Sequence, residues 1–169
     1  KAKVMMPDMD FPFFDTPTEG YLGNDFVVSL KGSLSSLSTC SRKGLASRFD
    51  STIGSRTVLM PFGGKLQLSP EEGMVSKIPV LSGHTNAVSV MSYGFDPYLS
   101  AWSPFHGAYF AVAESLLKIA AMGADPMKAR LTFQEYFERM QSDESWGKPV
   151  AALLGAFQAQ LDFQTPSIG

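Results

Sequence analysis

Between Ala87 and Tyr93 apolar and polar residues alternate, and Gly94 closes the run, which is the period of a half-buried strand. Val75–Val80 alternates in the same way and is limited by Pro79. Asp25–Leu30, punctuated by Gly32, reads as a short strand. So does Thr57–Met60, which Pro61 and the Gly63-Gly64 pair end, and so does Lys128–Phe133. A helical period dominates Ser103–Met122, with Ser103 as cap, Pro104 at the first position and Gly123 at the end. Phe110, Ala113, Leu117 and Ala120 fall on one stripe of this helix, and Val112, Leu116 and Ile119 widen it, so it should be largely buried. Its small residues Gly107, Ala108, Ala111 and Ala113 would let another element approach closely. A shorter helix is expected over Leu34–Arg48, with Leu34, Leu37 and Leu45 near one face. A one-turn helix is expected at Ser69-Pro70-Glu71-Glu72. After a linker with Asp143, Glu144 and Gly147, a last amphipathic helix should run from Lys148 to Phe163, with Pro149 at its start and Pro166 beyond its end. The order β, α, β, β, β, α, β, α groups strands rather than alternating them with helices, which points to an α+β domain with a mixed or antiparallel sheet covered by helices.

Residues 1–24 break this regularity with Pro7, Pro12, Pro17, Gly20 and Gly23, which oppose helix and inner strand. The expected organisation is an irregular arm over 1–24, pinned by Phe11, Phe13 and Phe14, and one domain over 25–169. Composition supports a packed core, since 44% of the 169 residues are hydrophobic and 18% are charged. A net charge of −2 supplies no strong field toward nucleic acid or an anionic membrane. The single cysteine, Cys40, excludes an internal disulfide and a cysteine-rich zinc site, and is expected to be a buried small thiol. No apolar run reaches the roughly 18 residues of a membrane span and no signal peptide is evident, so a cytoplasmic setting is expected. The start at Lys1 and the stop at Ser167-Ile168-Gly169 fit a piece of a longer chain.

Few residues offer chemistry. His84 and His106 lack the HxxxH and HExxH spacings of a helical metal site. His106 falls in the first turn of the long helix, where capping or packing explains it, and His84 lies in the polar turn Ser82-Gly83-His84-Thr85-Asn86. Gly63-Gly64-Lys65 lacks the GxxxxGK[ST] spacing of a phosphate loop. It is either a tight turn with a solvated lysine or a set of amides facing an anion beside Lys65. Glu114 and Lys118 stand at i, i+4 among apolar neighbours. They form either an exposed helical ion pair, worth about 0.3–0.5 kcal/mol, or a buried carboxylate that needs a partner or ligand. No GxSxG elbow is present, no basic patch interleaves with aromatics, and Asp15, Asp96, Asp125 and Asp162 are dispersed.

Three stretches carry a resemblance. They are Arg48-Phe49-Asp50-Ser51-Thr52-Ile53-Gly54 with Val58-Leu59-Met60-Pro61-Phe62-Gly63-Gly64-Lys65; Gly94-Phe95-Asp96-Pro97-Tyr98 with Ser103-Pro104-Phe105-His106-Gly107-Ala108-Tyr109; and Leu131-Thr132-Phe133-Gln134-Glu135-Tyr136-Phe137 with Trp146-Gly147-Lys148-Pro149 and Leu153-Leu154-Gly155-Ala156-Phe157. Together they closely resemble the family of large, single-chain phosphoribosylformylglycinamidine synthases, over about residues 36–169. More narrowly, the stretch resembles the second of that family's two domains of the aminoimidazole-ribonucleotide-synthetase type. The resemblance implies a four-stranded mixed or antiparallel sheet with helices on one face. It implies a glutamine- and ATP-dependent parent enzyme that makes formylglycinamidine ribonucleotide in purine biosynthesis, through an iminophosphate attacked by ammonia. The partners it implies are the first synthetase-like repeat and the glutaminase domain of the same parent chain.

By the same resemblance this piece is the auxiliary nucleotide half, with Lys65, Ser82, His84, Glu114 and Lys118 as nucleotide-binding candidates and no catalytic residue. Relatives carry a metal-binding Asp where this chain reads Leu81-Ser82, and an Asn where it has Lys118. A Gly-Lys-Asp-Ser segment of relatives should follow directly after Ile168-Gly169. Magnesium coordination needs several oxygens, so ATP, ADP and magnesium belong to the parent enzyme, with no magnesium expected on this chain. The isolated chain should be inactive and should pair as a homodimer through its exposed strands. Two alternatives stand beside this reading: a small-molecule module that keeps a phosphate site at Lys65, His84 and Lys118, and an unrelated interaction domain.

Overall fold

The computed structural model describes residues 1–5, 25–37, 39–49 and 56–169, so most of the expected 1–24 arm lies outside the described residues. The described chain is α+β. Its elements are α1 (Phe26–Ser35), α2 (Lys43–Phe49), β1 (Phe62–Gly63), β2 (Ser69–Pro70), β3 (Gly73–Lys77), β4 (Val88–Ser92), α3 (Pro97–Trp102), α4 (Pro104–Ala121), a 3₁₀ turn (Pro126–Lys128) and α5 (Asp143–Phe163).

α4 and α5 hold the core. Ser103 caps α4, its Oγ accepting the His106 N–H at 3.4 Å, and Pro104 occupies the first turn, as the sequence pattern predicts. The buried face of α4 is Gly107, Val112, Leu116 and Ile119. The Phe110–Leu117 stripe, expected inside, points outward, with Leu117 70% exposed. Two apolar stripes compete on this helix, and α5 covers only one. α5 buries small residues, Gly147, Ala151, Ala152, Gly155, Ala156 and Ala159. Gly155 and Ala159 meet the α4 side, whereas Gly147 is covered by the Lys3 backbone. A Cβ added at Gly155 would fall on the Phe105 carbonyl, well inside contact distance. Val112, Leu116, Leu131 and Ala159 form the centre, flanked by Tyr109, Ala129, Phe133 and Phe163.

α5 begins earlier than expected, at Asp143, so the anticipated linker is helical and Pro149 lies inside the helix. The cause is a capping box: Ser142 Oγ accepts the Ser145 N–H at 3.1 Å, and Ser145 Oγ accepts the Ser142 N–H at 2.9 Å. Two reciprocal side-chain bonds at Ser142 outcompete proline as a start signal.

Among the described residues the strands form two two-stranded antiparallel sheets, and the single four-stranded sheet expected is not seen. β3 pairs with β4 from Gly73↔Ser92 to Lys77↔Val88. Ser92 Oγ donates to the Ser115 carbonyl at 2.7 Å and fastens this sheet to α4. Thr57–Met60 contributes an isolated bridge, Thr57↔Ser76, with the Val58 N–H donating to the Val75 carbonyl at 2.8 Å. Lys128–Phe133 holds only the last residue of the 3₁₀ turn and one parallel bridge, Leu131↔Ser167, and forms no strand. The Ser69–Glu72 helix is also absent: Ser69 and Pro70 pair with Gly63 and Phe62 around a turn in which Gly64 takes φ 77°.

Asp25–Leu30 is helical, not extended. Asp25 Oδ1 accepts the Val27 N–H at 2.9 Å and the Val28 N–H at 3.4 Å, the capping geometry that starts α1. The expected helix over Leu34–Arg48 is divided between α1 and α2. Cys40 is exposed, contrary to the buried thiol expected.

Candidate functional site

Lys118 is the most heavily engaged polar group on α4. Its Nζ lies 2.6 Å from Glu114 Oε1 and 2.8 Å from Glu72 Oε2. It also sits 4.4 Å from the centroid of the Tyr93 ring, a cation–π distance. Glu114 Oε2 accepts the Phe95 N–H at 3.0 Å. One ammonium therefore joins the corner before β3, the segment after β4 and the middle of α4. The Lys118 side chain is 18% exposed, against 40% for Glu114 and 59% for Glu72. Burial opposes its charge, but hydrogen bonds to Glu114 and Glu72 outweigh burial and raise its pKa above the ordinary lysine value. Neither sequence reading of Glu114 and Lys118 is complete: the lysine is largely buried, and its second carboxylate comes from outside the helix.

Two grooves share Lys118 and Ala121. One, of 480 Å³, runs along the outer stripe of α4 between Asp96, Leu99, Phe110, Glu114 and Leu117. The other, of 520 Å³, is bounded by Val58, Leu59, Glu71, Glu72 and Met122. Both volumes suit a small ligand. The charge at their junction does not suit a phosphate, because two carboxylates already neutralise the one ammonium and leave it surrounded by negative charge. A hard cation fits no better. Both oxygens of Glu114 are engaged, one by Lys118 and one by a backbone N–H. Among the described residues no three His, Cys, Asp or Glu side chains converge closely enough to hold a metal ion.

The remaining candidates stand apart from this cluster. Lys65, Ser82 and His84 are exposed, and none of them lines either groove. His84 follows Gly83, whose φ is 79°, in the connection from β3 to β4. His106 does the work expected of a first-turn histidine: its Nδ1 is 2.8 Å from Ser103 Oγ and its ring lies 5.3 Å from those of Trp102 and Phe105. Glu72 and Tyr93 escaped sequence reasoning. Tyr93 ends an alternating run, which marks it as strand and nothing more. Glu72 resembles an acid in a helical first turn, and only the β3–β4 register carries it to Lys118.

The arrangement is that of an α+β unit in which a helix-borne lysine closes a carboxylate site. Over 162 residues the chain is 28% identical to the phosphoribosylformylglycinamidine synthase subunit PurL of Cereibacter sphaeroides, with 92% of this chain aligned. It spans 21% of that relative's length. No protein-family model matches the chain, and no solved structure matches it. Among the described residues no helix is long and apolar enough to cross a membrane.

Proposed function

We propose that the chain is the auxiliary synthetase-like unit of an ATP-dependent C–N ligase that makes formylglycinamidine ribonucleotide in purine biosynthesis, and that it is inactive alone. The similarity to a PurL subunit along 92% of the chain supports the ligase assignment. The observation that carries the auxiliary role is the Lys118 ammonium, which occupies the carboxylates a cation-dependent site would need free. On this reading ATP and magnesium act on the first synthetase-like repeat of the parent enzyme, and its glutaminase domain supplies the ammonia. The 25–169 region is one domain, whose two small sheets are completed into a four-stranded sheet only within the parent. Lys65, Ser82 and His84 gather toward a phosphate there, not in the isolated chain.

Mixing the isolated chain with formylglycinamide ribonucleotide, ATP, magnesium and ammonia should release ADP only at the background rate. Calorimetric titration with ATP should show no binding tighter than about 1 mM, a free energy of about −4 kcal/mol. Turnover above background would sink the auxiliary assignment. Micromolar ATP binding that disappears in Lys118→Met would favour the small-molecule module instead.

A further inference from the structure

α5 is inside out by the ordinary standard of a surface helix. Its small residues are buried, and its large apolar residues are exposed. Trp146, Val150, Leu153, Leu154, Phe157 and Leu161 are 37–59% exposed. At 3.6 residues per turn they fall within a stripe of about 100°, opposite the buried Ala and Gly face. From Pro149 to Leu161 no residue carries a charge. At these exposures the six side chains present on the order of 600 Å², close to the ~800 Å² per partner of a standard interface once a rim is added. Scattered exposed leucines need no explanation, but a continuous stripe of this size marks an interaction surface.

The spacing of the stripe suits a second copy of the same helix. The six positions are symmetric about the midpoint between Leu153 and Leu154. Reversing the helix about that point places Trp146 on Leu161, Val150 on Phe157 and Leu153 on Leu154. A two-fold axis through the same point generates this superposition, and a two-fold interface needs a self-complementary patch. The neutral stripe offers no charge for a basic or acidic partner to read. Nor does the stretch from Pro149 to Leu161 offer any Lys or Arg to meet an anionic lipid surface. We propose that a second copy of this chain docks on α5, with the two helices antiparallel and crossing at Leu153–Leu154. The proposal does not depend on the ligase reading, and it places pairing on a helix instead of on the strands that the resemblance implies.

The test is register-specific. In a Cys40→Ser background, which removes the exposed thiol, chains carrying Trp146→Cys and chains carrying Leu161→Cys are prepared separately, mixed and mildly oxidised. The mixture should give a disulfide-linked product within minutes, and neither chain alone should do so. Light-scattering chromatography at roughly 0.1 mM, where micromolar association is saturated, should give twice the 18.3 kDa chain mass. Phe157→Glu should return it to 18.3 kDa with an unchanged circular dichroism spectrum. A monomer at that concentration would overturn the proposal. So would a dimer that resists Phe157→Glu and fails to cross-link between positions 146 and 161, since its interface would then lie elsewhere, for example on β4.

Discussion

The Lys118 ammonium is the residue on which three elements depend, and its loss has a sign that can be worked out. In Lys118→Met, Glu72 and Glu114 lose a shared counter-ion and a charge-assisted hydrogen bond each. Such bonds are worth about 1.5–3 kcal/mol when buried, and the partial exposure of both carboxylates shifts the expected cost toward the low end, about 1–2 kcal/mol. Urea denaturation of the two proteins measures it. Because the folded-state pKa of Lys118 is raised, its contribution is complete below the unfolded value and is lost as pH rises through the folded one. The stability difference between wild type and Lys118→Met should therefore be flat from pH 7 to about pH 10 and shrink above that. A difference that instead vanished on acidification to neutral pH would assign the effect to another group. The i, i+4 pairing of Glu114 and Lys118 was legible in the sequence, because helical spacing is local. The third and fourth members were not. Glu72 and Tyr93 reach Lys118 through the Gly73↔Ser92 pairing, which no local pattern encodes.

Among the elements, α4 and α5 show how far start and stop signals carry. Ser103, Pro104 and Gly123 delimited α4 correctly, because a cap and a left-handed terminus are chemical events at single residues. The buried face of α4 was harder, since periodicity reports an apolar stripe but not which stripe finds a partner. For Asp25–Leu30 the apolar run fits either period, and the Asp25 cap decided it. The short strands failed for a related reason: Thr57–Met60 and Lys128–Phe133 have strand composition but acquire a single bridge each. Close approach of α4 and α5 yields a sharp test. Gly155→Val should destabilise the fold by about 3 kcal/mol or more, because its Cβ must displace the Phe105 backbone and not a flexible side chain. Gly44→Ala in α2 has no heavy atom within 4 Å of the added methyl and should be neutral or stabilising by up to ~1 kcal/mol. Thermal melts of both variants check the pair. Equal effects would mean that the α4–α5 contact is looser than the Gly155–Phe105 approach requires.

At the scale of the whole chain, burial is uneven, and stability should follow it. Among the described residues the buried hydrophobic ones are Leu99, Val112, Leu116, Ile119 and Leu131 with four alanines of α5, all of them C-terminal to β4. α1 buries no residue, and Phe26, Val28 and Leu34 on it are 65–70% exposed. In α2 an exposed bond runs from Lys43 Nζ to the Gln67 carbonyl at 2.6 Å. A helix held by so little apolar contact opens at a small fraction of the global unfolding free energy. Proteases sample such local openings when opening is fast relative to cleavage. Brief trypsin treatment should therefore cut first at Lys31, Arg42, Lys43 and Arg48, and leave Lys118 and Lys148 intact. Amide exchange should show the same order, with α1 and α2 exchanging orders of magnitude faster than the centres of α4 and α5. The product beginning near Phe49 should keep its cooperative melt, since it retains every buried hydrophobic residue named above. First cleavage at Lys118 would place the weak point inside the α4 clasp. It would mean that the bonds to Glu72 and Glu114 do not hold α4 closed against the corner before β3.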